Sequence, residues 1–138
     1  MTPEFVDTNV LLYAYDASTG DRHARARELV GRLGREHRGA LSVQVLQEFY
    51  VNATRKIAVP LAPDLALERL RVLSRWRTHS PLAHDVIAAA EIAADHQLSL
   101  WDAMVIRSAS ELGCSTLWTD DLNHGQKISG VTIANPFA

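Results

Sequence analysis

The apolar positions change period several times along the chain. A short apolar run over residues 4–7, built on Phe5 and Val6, predicts a strand, and the pattern turns helical at once in "NVLLYAYD". In "GDRHARARELVGRLGREHRG", Ala26, Leu29, Val30 and Leu33 fall at i, i+3, i+4 and i+7 with arginines on the other faces, which predicts an amphipathic surface helix. The short apolar "ALS" leads into "VQVLQEFYVNATRKI", where Leu46, Phe49, Tyr50, Ala53 and Ile57 predict the buried stripe of a further helix. "VPLAP" ends it, because proline lacks the N–H that a helix needs.

The second half repeats the alternation. "PDLALERLRVLSRW" predicts a helix with Leu67, Leu70 and Leu73 among its apolar positions, and "RTHSPLA" has room for a short strand. "HDVIAAAEIAADHQ" and "SLWDAMVIRSASELGC" predict two more helices, the second stopping near Gly113, and "STLWT" and "GVTIAN" read as strands. Strands alternating with helices predict an α/β fold, with a parallel sheet covered on both faces and functional groups gathered at the carboxyl ends of its strands. A length of 138 residues suits one domain over 1–138.

Composition narrows the class. Apolar residues make up 47% and charged residues 22% of the chain, the balance of a globular protein, and no low-complexity stretch or repeat interrupts it. The N-terminus "MTPEFVDTN" has no basic lead-in and every apolar run is too short to span a bilayer, so a soluble, cytoplasmic protein without a membrane partner is expected. Cys114 is the single cysteine, which excludes an internal disulfide and predicts core packing after Gly113. A net charge of −2 excludes a strongly basic surface, but all cations except Lys56 and Lys127 are arginines, many of them clustered, so local basic patches are expected.

The acids change the picture most. Asp7 ends the first predicted strand, and Thr119, Asp120 and Asp121 follow "STLW" in the same way, so two strands end in acids on one rim. Glu48 borders an apolar stripe, one residue before Phe49, and Asp102 shares a helical face with Val105, Ile106 and Ala109. Each has an ordinary structural role available. Asp7 suits a helix N-cap, Asp102 the third position of a capping box with Ser99, Glu48 a solvated helix face, and Asp120 and Asp121 a turn. One acidic site explains all of them together. Two carboxylates about 5 Å apart repel by roughly 3 kcal/mol at an effective dielectric near 20. Both lysines lie outside these segments, which leaves protonation or a divalent cation, and an all-oxygen ligand set suits Mg²⁺ or Mn²⁺.

"FVDTNVLLYAYD", "VQVLQEFY", "LSLWDAMVIRSASELGC" and "LWTDDLNHGQKISGVTIANPF" resemble, in order and separation, the motif blocks of PIN-domain ribonucleases, most closely the VapC-like toxins of bacterial toxin–antitoxin pairs. The likeness runs over nearly the whole chain. Its most specific block is Thr-x-Asp-Leu-x-His-Gly-Gln with an Asn-Pro-Phe ending. The resemblance implies an α/β/α sandwich with a central parallel sheet, whose acidic pocket binds Mg²⁺ or Mn²⁺ and hydrolyses RNA to a 5′ phosphate and a 3′ hydroxyl. Matched motif by motif, it gives the metal-binding and catalytic roles to Asp7, Glu48, Asp102 and Asp121, with Asp120 as a competitor for the role of Asp121. It also implies a small cognate antitoxin and a homodimer.

Thr8, Asn9 and Thr119 adjoin the acids and are expected either to hold the carboxylates in place or to serve as caps and turn residues. Arg22, Arg25, Arg32 and Arg35, or Arg69, Arg71, Arg75 and Arg77, are candidates for phosphate contact or for a solvated helix face. Trp76, Trp101 and Trp118 either stack on bases or belong to the core. His124 is a candidate for ordering the loop near the acids. Rival readings are a PIN-like RNA-binding protein without turnover and a receiver-type phospho-acceptor domain. The receiver reading is disfavoured because Asp7 has no acidic neighbour, and a dinucleotide-binding module because no glycine-rich turn follows Asp7.

Overall fold

A computed structural model describes residues 1–138. β1 (Glu4–Val6) and β2 (Gly39–Ser42) are buried at every position, as strands covered on both faces must be. They lie inside a six-stranded sheet of order β3-β2-β1-β4-β6-β5, with β3 at Arg77–His79, β4 at Thr116–Trp118, β5 at Lys127–Ile128 and β6 at Val131–Ala134. Every neighbouring pair is parallel except β5 and β6. The expected parallel sheet is therefore mostly parallel, with one antiparallel edge strand. β5 is only two residues long and turns back through Ser129 (φ 52°) and Gly130 (φ 81°), the pair of positive φ values that a tight hairpin requires. A two-residue strand has no periodicity to read.

Six helices cover the sheet: α1 (Thr8–Tyr15), α2 (Asp21–Arg35), α3 (Val43–Arg55), α4 (Pro63–Leu73), α5 (Ala83–His96) and α6 (Leu100–Glu111). They form two packed groups, α1 to α4 and α5 with α6, which is the expected α/β/α sandwich. A single apolar cluster containing Phe5, Leu11, Leu33, Phe49, Ile106 and Ile133 ties both groups to the sheet. Cys114 belongs to it, and burial pushes its thiol up to about 12, so it is an inert core residue. No helix is long and apolar enough to cross a membrane.

Two apolar stripes are shifted from those predicted. In α3 the fully buried line is Val45, Phe49 and Ala53, while Leu46 and Tyr50 are only half-buried, and the helix ends at Arg55, before half-buried Ile57. α4 packs mainly on α3, at the margin of its group, so Ala66 and Leu73 are buried and Leu67 is exposed. Helix α2 stops at Arg35, short of the predicted end, because His37 takes a positive φ of 54° and Gly39 already starts β2. Gly39 has no freedom to be anything larger, since a Cβ there would lie 2.2 Å from the Trp76 ring.

From β1 the chain runs outward through β2 and β3 on one side and then crosses to β4, β6 and β5 on the other. The boundary between β1 and β4 is thus where strand order reverses, the place where sheets of this kind gather functional groups beyond the carboxyl ends of their strands.

Candidate active site

Val6 is paired with Trp118, so the residues that follow them, Asp7 and Thr119, leave the sheet side by side. The ladder holds both backbones: the Asp7 N–H donates to the Trp118 carbonyl at 3.0 Å and the Thr119 N–H to the Ala134 carbonyl at 3.0 Å. Asp7 is extended (φ −73°, ψ 159°) and caps α1, its Oδ1 accepting from the Thr8 N–H at 2.7 Å. Its Oδ2 accepts from the Thr119 hydroxyl at 2.9 Å. The same hydroxyl accepts from the Asp121 N–H at 3.2 Å, so Thr119 links the two acids. The structural role predicted for Asp7 and the acidic cluster coexist in one carboxylate.

Burial is the main influence on Asp7 and pushes its pKa up to about 6; the bonds from Thr8 and Thr119 oppose the rise, and the charges of Asp121 and Glu48 add to it. Asp121 is also raised, first by burial and then by the charges of Asp120 and Asp102, against a 2.9 Å hydrogen bond from the Asn9 side-chain amide. The charges of Glu48 and Asp121 thus reach Asp7, and those of Asp120 and Asp102 reach Asp121, although these acids come from α3, the end of β1, the loop after β4 and the first turn of α6.

Asp102 forms half of its predicted capping box. The Ser99 hydroxyl accepts from the Asp102 N–H at 3.1 Å, but the Asp102 carboxylate is not drawn back onto the cap, as Asp85 is drawn onto the Leu82 N–H at 2.8 Å in α5. Glu48 is exposed and accepts from the Gln44 amide one turn earlier at 2.9 Å.

Asp120 and Asp121 are separated by their partners. Asp120 turns to α1 and α2, where its Oδ2 accepts from the Tyr13 hydroxyl at 3.1 Å and from the Arg22 guanidinium at 3.0 Å. Arg22 in turn sits over the rings of Tyr13 and Phe137, at 5.4 and 5.0 Å from their centroids. Asp121 has no cation and faces the other acids. The sequence carries no direct signal for the Arg22–Asp120–Tyr13 clamp: the arginine that answers one acid of the cluster lies 98 residues away, and its guanidinium is engaged there and not free for the phosphate contact expected of it. The one available signal was the face Asn9, Tyr13, Asp16, which puts polar groups on an apolar helix.

The other candidates are dispersed. Arg32 is tied to Glu4 at 3.2 Å and to Glu36 at 3.4 Å, and exposed Arg25 lines a shallow pocket beside it with Trp118. Arg75 and Arg77 surround a cavity near Gly39, at the amino ends of β2 and β3 and away from the acids. Trp76 packs on Gly39, and Trp118 donates to Glu4 at 2.9 Å. Trp101 is 66% exposed next to Asp102, contrary to a core role. The His124 Nδ1 accepts from the Asn135 N–H at 2.8 Å and so ties the loop after Asp121 to the end of β6.

The donor set suits a hard divalent cation in its chemistry, being all oxygen and short of positive charge. Two oxygens, Asp120 Oδ1 and the Thr8 hydroxyl, are buried without a hydrogen-bond partner. No three acid, histidine or cysteine side chains converge closely enough to cage a metal as they stand. Asp7 is fixed, whereas exposed Glu48 and Asp121 are each held by one neutral amide.

A mostly parallel α/β sheet with carboxylates at the reversal of strand order is a recognisable class of domain. The PIN domain family model matches residues 5–127, and the chain belongs to that family. Among solved structures it is similar to a DNA-bound VapBC from Salmonella typhimurium (TM-score 0.68, 20% identity, 99% of each chain covered). It is also similar to a toxin–antitoxin complex from Klebsiella pneumoniae (0.67, 19%, 96% of this chain and 97% of that one). A third is the Mycobacterium tuberculosis sarcin–ricin-loop-cleaving toxin VapC20 (0.64, 24%, 86% and 91%). At these identities the likeness is one of fold. No curated protein matches the chain.

Proposed function

We propose that this chain is a divalent-metal-dependent endoribonuclease and the toxin of a toxin–antitoxin pair. The observation that carries the reading is the register that sets Asp7 beside Thr119 at the β1–β4 boundary of a PIN domain, with the Thr119 hydroxyl linking Asp7 to Asp121; the charges of Glu48 and Asp102 reach these two acids from α3 and α6. Mg²⁺ or Mn²⁺ held by these four residues would neutralise their charge and supply Lewis-acid activation for phosphodiester hydrolysis. Asp7 is the rigid member, fixed by the sheet and by two hydrogen bonds. Thr119 sets the spacing of Asp7 and Asp121, and Asn9 orients Asp121. Asp120, occupied by Arg22 and Tyr13, has a supporting role, which favours Asp121 as the fourth ligand.

The partners follow from the same reading: RNA as substrate, a small antitoxin, a second copy of the chain, and the cytoplasm as the setting. Two of the similar structures are described as toxin–antitoxin or VapBC assemblies, which supports the antitoxin. The test is incubation of purified protein with RNA and Mn²⁺ or Mg²⁺, with and without EDTA. Cleavage abolished by EDTA and by Asp7→Asn is the expected result. Cleavage indifferent to EDTA would remove the metal, and RNA binding without cleavage at any metal concentration would favour the non-catalytic alternative.

A further inference from the structure

Lys56 takes part in none of the chain's ion pairs. It is the C-cap of α3, a position that favours a cation, and it also lines a cavity of about 370 Å³. Asn9 and Tyr13 from α1 and Asn52 from α3 line the same cavity. It is the groove between these two packed helices. Asn9 and Tyr13 lie one turn apart on α1, with Asp16 just past its end, and Glu48, Asn52 and Lys56 follow at i, i+4 and i+8 along α3 to its C-cap.

The groove is tied to the acids through two of its lining residues. Asn9 donates to Asp121 and Tyr13 to Asp120, and Glu48 opens the α3 stripe. Lys56 lies about 12 Å farther along that helix at 1.5 Å per residue. On the α1 side the polar groups are already engaged, Asn9 with Asp121, Tyr13 with Asp120 and Asp16 with the Ser18 N–H and hydroxyl, so the open groups are on the α3 side. Along α3 the side-chain hydrogen bonds run from Gln44 to Glu48 and from Thr54 to the backbone, which leaves the Asn52 amide and the Lys56 ammonium open.

We propose that this groove is an RNA subsite, which takes the strand beyond the scissile phosphate, with Lys56 on a backbone phosphate and Asn52 beside the nucleotide held there. The inference rests on the ribonuclease reading above. An acidic centre repels RNA, so attraction has to come from cations set back from it. Arg22 and Arg32 are already paired with Asp120 and Glu4, whereas Lys56 has no ion pair to break. The open Asn52 amide suits a sugar or base, and the Lys56 ammonium suits a phosphate.

The test has two arms, both on the full chain. Binding of a labelled single-stranded RNA is followed by fluorescence anisotropy in EDTA over a range of salt, and cleavage kinetics are followed with Mn²⁺. Lys56→Ala should weaken binding about 5-fold at low salt and reduce the slope of log K against log[salt] by about 0.7, the value for one phosphate on a single strand. Lys56→Arg should restore the slope. KM should rise with kcat unchanged, while Asn52→Ala weakens binding without altering the slope. The unfolding midpoint should fall only slightly for Lys56→Ala, through loss of a cation at the α3 C-terminus, and stay in place for Lys56→Arg, since the bond from the backbone N–H to the Asn52 carbonyl is independent of the side chain. A native chain that cleaves RNA while Lys56→Ala leaves slope and KM unchanged overturns the subsite alone. Lys56-dependent binding by a native chain that never cleaves overturns the nuclease reading and keeps the groove as an RNA site. A native chain that neither binds nor cleaves overturns both.

Discussion

Asp7 is a buried carboxylate whose burial and acidic neighbours outweigh its two hydrogen bonds. Its rise from 3.8 to about 6 means that, without metal, the folded state keeps a proton which the unfolded chain releases between those values. Stability of the metal-free protein should therefore fall as pH climbs through that window, by up to about 3 kcal/mol from this residue. Asp7→Asn should flatten the decline and stabilise the metal-free protein at pH 7.5 by about 2 kcal/mol, as read by urea unfolding in EDTA at several pH values.

Glu4 behaves in the opposite way. Burial raises it, but the Trp118 hydrogen bond and the charges of Arg32 and Arg38 more than offset that and hold its carboxyl below the usual range. Its contribution is present at neutral pH and disappears as pH falls through the lowered value. Glu4→Gln should cost about 1–2 kcal/mol at pH 7, and the difference should close in acid, again by urea unfolding.

At the scale of elements, the site is made by register. Pairing of Val6 with Trp118 brings Asp7 and Thr119 together, and the sequence announced this because two apolar strands end in acids. The acid-bearing helices were legible for a similar reason: α6 has an acid on an apolar face, and α3 has one beside its stripe. What escaped reading has a physical cause in each case. β5 is too short to show a period, and α2 ends where His37 adopts a backbone that no pattern signals. The Arg22 clamp on Asp120 joins residues that meet only after the sheet has formed. The pairing at β2 depends on Gly39 lying against Trp76, so Gly39→Ala should destabilise by about 1–3 kcal/mol. In a double-mutant cycle with Trp76→Leu, most of that loss should vanish, because the smaller side chain vacates the space.

At the scale of the whole molecule, a chain with net charge −2 gathers uncompensated carboxylates at one edge of its sheet, while most of its arginines sit elsewhere or are already paired. Bound cation would complete this charge distribution and bring exposed Glu48 and Asp121 toward fixed Asp7. The most direct measurement is calorimetric titration of Mn²⁺ into the native chain and into Asp7→Asn, Glu48→Gln, Asp102→Asn, Asp121→Asn and Asp120→Asn. The account predicts a saturable site that each of the first four substitutions weakens at least about tenfold, some 1.4 kcal/mol apiece, with Asp120→Asn changing it far less. Mn²⁺ binding that survives all four substitutions, or that depends on Asp120 in place of Asp121, would contradict it.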